Sequence, residues 1–437
     1  MTTIASRPSA QNKSSKAIFI IGSLFFIFGF VTWLNSALIP YLKLACQLTN
    51  FQAYLVTTAF YSPYLVMAFP SAWVLKIAGF KNGMAVGLAI MALGALIFIP
   101  AAMTRTYVLF LLGLFMQGTG LAILQTASNP YIVILGPAES AAKRISIMGI
   151  CNKVAGAIAP AILGAIALKD ADNLKIRLVN MVPAQKVIEL NQLAGKVIMP
   201  YIIMVIVLLI LGVGIYFSGL PEIDTDGKDE VATSEHSTKT SIFQFPHLLL
   251  GVLALFLYVG AEVLAGDSII SYGASKGISL SIAKFFTAAT LGGMVAGYIV
   301  GIICIPKYFT QQFALKFCAI LGLVFSVFAI ISSGYISISF IALLGLANSL
   351  MWPALWPLGI GGLGKFTKLG ASFMIMAISG AAIIPPIYGK LGDQIGLQHA
   401  YIILIPIYLF ILYYSVKGYK AGRISVDTVG ELYPVAE

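Results

Sequence analysis

The sequence predicts an all-α integral membrane protein of twelve transmembrane helices. Three observations lead there. Of 437 residues, 59% are hydrophobic and only 10% charged, against about 25% charged in a soluble globular chain. The apolar residues collect into twelve runs, each close to the roughly 20 residues that a helix needs to cross a hydrocarbon core. A polar, acidic, Ser/Thr-rich segment then divides those runs six and six.

Residues 1–16 form a polar tail with Arg7, Lys13 and Lys16. The first apolar run, 17–42, is too long for the core of a signal peptide and shows no cleavage site, so it is expected to stay as the first helix. The others fall at 52–75, 83–103, 107–135, 145–168, 198–219, 247–272, 282–304, 311–332, 335–358, 369–389 and 398–416. Two connections are long: 169–197, mixed in charge, and 221–246, which reads as a flexible linker. The expected organisation is a tail (1–16), a first six-helix bundle (17–220), the linker (221–246), a second bundle (247–416) and a C-terminal tail (417–437). A faint internal repeat supports it. One fixed offset aligns Gly136 with Gly362, Ser146 with Ser372 and Pro160 with Pro386. Parallel repeats of this kind place a substrate site between the halves, near the bilayer midplane.

The net charge of +11 does not indicate nucleic acid, because the basic residues are scattered at run ends and form no single basic face. Lysines and arginines concentrate in the loops on the side of the N-terminus, among them Lys76, Lys81, Lys143, Lys307, Lys316, Lys365, Lys368, Lys417 and Lys420. The opposite short loops hold Lys43, Arg105, Lys276, Lys284 and Lys390. The positive-inside rule then puts both termini in the cytoplasm. Cys46, Cys151, Cys304 and Cys318 lie far apart and make neither a metal spacing nor a disulfide framework. No metal site, phosphate loop or catalytic triad is present in the pattern, so an enzyme is not expected.

Ionisable groups in the hydrocarbon core mark function by default. Of sixteen acidic residues, only Glu262 and Asp267 fall inside a run, the seventh. They stand roughly 140° and about 7.5 Å apart on a helix, so they do not share one face. Glu262, the deeper, is expected to point into a central cavity; Asp267, nearer the outer end, is expected to face a vestibule. Lys153, in the fifth run, is the lone cation well away from a run end, on a stripe with Ser146, Gly149, Gly156 and Pro160 that invites a close neighbour. It could be a proton-linked switch, a built-in cation or a static clamp for one of the acids. Asn35, Gln125, Asn129, Asn152 and Asn348 add amides from several runs, and Trp352 and Trp356 share a face of the tenth. Such a set suits a neutral polyhydroxylated ligand. Its alternatives are interhelix hydrogen bonds and an aromatic belt. Prolines inside runs (Pro63, Pro70, Pro130, Pro160, Pro353, Pro357, Pro385 and Pro386) permit bending.

Certain stretches carry a family resemblance: Leu34 to Pro40, Leu48 to Ala53, Gln125 to Tyr131 with Leu135-Gly136-Pro137, Arg144 to Asn152, Tyr258 to Ala261, and Gly370 to Phe373. Across these the chain resembles the fucose permease and glucose/galactose transporter branch of the major facilitator superfamily. The resemblance implies two six-helix bundles and proton- or sodium-coupled symport of a hexose or deoxyhexose. It implies Asn152 as a sugar contact. It also implies coupling acids at the positions of Ser36 and Gln125, which are absent here, and Lys153 departs from the pattern. The repeat that aligns Ser36 with Glu262 offers a replacement on the seventh helix. Tyr258 to Glu262 is similar to sodium-dependent glucose carriers of the same branch.

The expectation is therefore a monosaccharide symporter of the inner membrane, monomeric, importing a glucose- or galactose-like hexose with H⁺ or Na⁺ and no other cofactor. Its partners are the sugar, the coupling cation and the lipid bilayer. The expected sugar contacts are Asn35, Gln125, Asn129, Asn152, Asn348, Trp352 and Trp356, with Glu262, Asp267 and Lys153 coupling the cation. Rival expectations are an uncoupled facilitator, a carrier of fucose or N-acetylglucosamine, and a non-transporting sugar sensor.

Overall fold

In hydrocarbon a chain must satisfy its backbone hydrogen bonds within itself, and every regular element among the described residues is helical. The computed structural model describes residues 10–134, 141–220, 240–305 and 307–422. Residues 1–9 of the N-terminal tail, Leu135, Gly136 and Pro137, most of the expected linker (221–239) and the end of the C-terminal tail lie outside the described residues, as does the side chain of Ser146.

Eleven helices among the described residues are long and apolar enough to cross a membrane, from Ile18–Ala45 to Leu397–Val416. The remaining crossing expected from the sequence, the second, is present but broken. It runs through Asn50–Tyr61 and Pro63–Val66 into the start of Ala68–Thr104. Pro63 has no N–H to give, so the helix stops and restarts there. Ala68–Thr104 holds the end of the second crossing and the whole of the third, turning at Gly79 with φ 78° and ψ 168°, a conformation that a side chain would forbid. The first crossing also divides, into Ala10–Trp33 and Asn35–Ala45. The Ser36 hydroxyl donates to the carbonyl of Trp33 at 2.9 Å beside this break.

The long connection at 169–197 is not a loop. It folds into Ala171–Asn180 and Pro183–Gly195, which bury Leu174, Leu178, Leu190 and Leu193. The Tyr41 hydroxyl anchors it by donating to the carbonyls of Leu193 and Ala194 at 2.8 and 2.9 Å.

The internal repeat is visible in how helices touch. In the first half, a Cβ on Gly29 would lie 1.9 Å from the Asn152 carbonyl, closing the first crossing on the fifth (Ala141–Ala167). In the second half, a Cβ on Gly380 would lie 1.8 Å from the Phe256 carbonyl, closing the eleventh crossing (Leu369–Ile395) on the seventh (Pro246–Ser275). Gly118 against Phe60 and Gly345 against Thr290 form a second matched pair of seams. Helices approach this closely only where one partner lacks a side chain.

The face where the first and seventh crossings begin is here termed proximal, and the opposite face distal. At the distal face the two halves are bound together. Asp393 accepts hydrogen bonds from the backbone N–H groups of Asn50 and Phe51, each at 2.9 Å. Asp172 accepts from the N–H of Leu280 at 2.7 Å. Deeper in, the Thr58 hydroxyl donates to the carbonyl of Ala382 at 2.7 Å.

Candidate functional site

The fifth and seventh crossings bring two expected site residues together across the halves. Lys153 Nζ lies 2.5 Å from Glu262 Oε1, with the two residues 8% and 9% exposed. An ion pair taken out of water needs excellent geometry and further contacts to offset desolvation. Trp33 supplies one, its ring centroid 4.7 Å from the ammonium, within cation–π range.

Trp33 was not singled out by the sequence, yet it is the wedge of this site. A Cβ on Gly156 of the fifth crossing or on Gly266 of the seventh would each fall 2.2 Å from an indole atom. Leu291 and Met294 of the eighth crossing (Leu280–Cys304) complete its packing. The indole N–H is buried without a partner. The one signal in the sequence was a tryptophan in mid-run, two residues before Asn35; that Gly156 and Gly266 face it shows only in the fold.

Glu262 has a hydroxyl-rich surround. Tyr258, Tyr298 and Tyr408 surround it. The Tyr408 hydroxyl donates to Asn348 Oδ1 at 2.9 Å, which leaves Asn348 fully buried with its amide nitrogen unpartnered. Asn348 is thereby bound to the twelfth crossing through Tyr408. Asn35 is also fully buried, and neither atom of its amide is hydrogen-bonded. Asn152 is half-buried, its amide nitrogen 3.5 Å from the Phe25 carbonyl.

Gln125 and Asn129 extend the stripe of the fourth crossing that touches Phe60 and Pro63 through Gly118. Gln125 is half-buried and Asn129 exposed, so the stripe opens beyond Pro63, toward the proximal face. Trp352 and Trp356 stack on each other at 5.6 Å and 22°, both half-buried.

Asp267 differs from its expectation. It faces no vestibule: it is 0% exposed, and neither carboxylate oxygen has a hydrogen-bond partner. Distal closure is the reason, since the second crossing lies over it with Tyr54 and Tyr61. Nor does it share Lys153, which is bonded to Glu262.

This geometry combines a central ion pair joining two halves, buried amides and hydroxyls without partners, and one closed face. Unpaired polar groups are costly in a dry interior. Such groups, among them Trp33 Nε1, both amide atoms of Asn35 and Asn348 Nδ2, are ones that a polar ligand or water would satisfy.

Comparison with known proteins agrees. Residues 21–365 match the family model of the Major Facilitator Superfamily. A glucose/galactose transporter of Brucella abortus is 32% identical over 416 residues, covering 94% of this chain and 96% of that protein. The L-fucose-proton symporter of Escherichia coli K12 is 30% identical over 381 residues, covering 86% and 87%. The crystal structure of the transporter FucP in the outward conformation superposes with a TM-score of 0.67 at 28% identity, over 91% of this chain and 97% of that one. With its helices, its two-half seams and its central ion pair accounted for, the chain belongs to the major facilitator superfamily.

Proposed function

We propose that the protein imports a monosaccharide, a glucose- or galactose-like hexose, by cation symport across the inner membrane. It works by alternating access between the bundles 17–220 and 247–416, with 221–246 as linker and both tails (1–16 and 417–437) cytoplasmic. The observation that carries this reading is the Lys153–Glu262 pair, which joins the halves under Trp33. Removing one partner of a buried pair costs about 3–5 kcal/mol. Moving the halves apart at this depth therefore requires that something else satisfy the charges. Sugar hydroxyls can donate to Glu262, a cation can neutralise it, and the face of Trp33 suits the C–H face of a pyranose. The named relatives support a sugar as cargo, and the excess of basic residues in the proximal loops supports a cytoplasmic proximal face.

In this scheme Asn35, Gln125, Asn129 and Asn152 meet the sugar, with Trp352 and Trp356 as an aromatic wall and Asn348 positioning Tyr408. The carboxylates of the seventh crossing, with Lys153, answer the coupling cation. The test is uptake of labelled glucose, galactose, fucose and N-acetylglucosamine into vesicles, with proton and sodium gradients imposed separately. Accumulation of one sugar under one gradient is the expected result; no accumulation of any of them under either gradient removes the reading. A second reading, uncoupled facilitation, is favoured by the short Lys153–Glu262 bond if that bond persists throughout the cycle. Counterflow without accumulation would select it.

A further inference from the structure

With Lys153 committed to Glu262, Asp267 is left as a carboxyl that no lysine, arginine or histidine is seen to reach among the described residues. We infer that Asp267 is a separate binding site for the coupling cation, a single proton or sodium ion taken from the distal side. This rests on the symport reading and divides its labour: Glu262 with Lys153 serves the sugar chamber, and Asp267 takes the cation.

Three observations support the division. Asp267 is 0% exposed with both oxygens unpartnered. An isolated carboxylate so placed is prohibitive, and such a group is found neutralised. Its neighbours are oxygens. Ser271 lies one turn along the same helix, while Tyr54 and Tyr61 share one face of the second crossing. The hydroxyls of all three are buried and unpartnered. A hard cation takes oxygen ligands, and a proton needs only the carboxyl. Finally, the cluster lies on the seam between halves, beneath the distal contacts of Thr58 with Ala382 and of Asp393 with the second crossing. Parting that seam would expose Asp267 to distal water, and closing it with an anion inside would be resisted. The distal face thus closes over a neutralised Asp267.

The titratable groups around it are few. Tyr54 and Tyr61 come from the second crossing and Glu262 from its own helix. Tyr388 of the eleventh packs edge-on against Tyr54 at 5.4 Å, and Tyr401 lies behind it.

The experiment uses the full-length protein in proteoliposomes. Asp267→Asn is expected to keep sugar exchange at equal concentrations and to lose accumulation under an imposed gradient. Glu262→Gln is expected to lose both. Accumulation at the wild-type level in Asp267→Asn overturns the proposal, and so does loss of exchange in a well-folded Asp267→Asn. Imposing a pH step without sodium, or a sodium step at fixed pH, separates the two ions. If the wild type moves no sugar, the symport reading alone is removed, and binding decides the site. Either the carbonyl stretch of a protonated carboxylic acid in infrared difference spectra, or bound radioactive sodium, should be lost in Asp267→Asn; equal signals overturn the proposal. If Asp267→Asn does not fold, Tyr61→Phe replaces it. That variant should shift the half-saturating proton or sodium concentration for accumulation, and an unchanged value overturns the proposal.

Discussion

At the scale of single residues, the Lys153–Glu262 pair sets the terms. Glu262→Gln leaves a buried ammonium without its partner, so it should lower stability by about 3–5 kcal/mol. The double variant Lys153→Met with Glu262→Gln removes both charges and should recover most of that loss, because two matched neutral groups are tolerated where one stranded charge is not. Thermal unfolding in detergent, followed by tryptophan fluorescence, checks both. If the double variant is no more stable than the single one, the bond between the two residues is not what holds them. Charges in apolar runs are rare, so the sequence offered Lys153 as a partner for one of two acids; it left open whether that was Glu262 or Asp267. Trp33 was not legible, since a tryptophan in a membrane helix ordinarily reads as a belt residue, and only the facing Gly156 and Gly266 reveal it as a wedge.

At the scale of elements, the breaks and clamps matter more than the helices themselves. Asp393 caps the N-terminal turn of the helix Asn50–Tyr61 from the other half of the chain. A carboxylate there gains from the exposed N–H groups and the helix dipole, and losing a cap costs about 1 kcal/mol. Asp393→Ala should therefore raise the population open at the distal face several-fold. Cys46, just past the first crossing, reports it. Burial pushes its thiol up to about 11, against the opposing pull of Arg105, so it reacts slowly at neutral pH. In a background without the other three cysteines, maleimide labelling of Cys46 should be slow in the parent and faster with Asp393→Ala. Equal rates would show that the clamp does not hold this face. Sequence reading sorted Asp393 among loop acids, because nothing local marks a carboxylate whose partners lie far away in the chain. The break at Ser62–Pro63 was legible only as a proline-permitted bend and the break at Leu34 not at all, while the turn at Gly79 falls in the short gap between the runs 52–75 and 83–103, where a connection was expected.

At the scale of the whole molecule, exposed apolar surface separates by environment. Ile210, in the sixth crossing, and Ile176, in the distal connection, are exposed to a similar degree, 65% and 70%. Lysine at position 210 would face acyl chains, at a cost of about 2.5–3.5 kcal/mol by insertion scales. Lysine at position 176 would face water. The yield of membrane-integrated protein should therefore fall for Ile210→Lys and hold for Ile176→Lys; equal yields would misplace the bilayer. The number of crossings, their order and the division six and six could be read from hydropathy alone, since lipid imposes one rule on every span. What hydropathy could not supply is which polar groups meet, because that depends on the rotation of each helix about its axis.

Both rim carboxylates, Asp393 and Asp172, grip peptide N–H groups. Mobile ions at physiological strength blunt forces between exposed charges farther apart than about 8 Å, and they do little to a bond between touching atoms. Brine should thus leave the resting posture of this carrier as common as dilute buffer does.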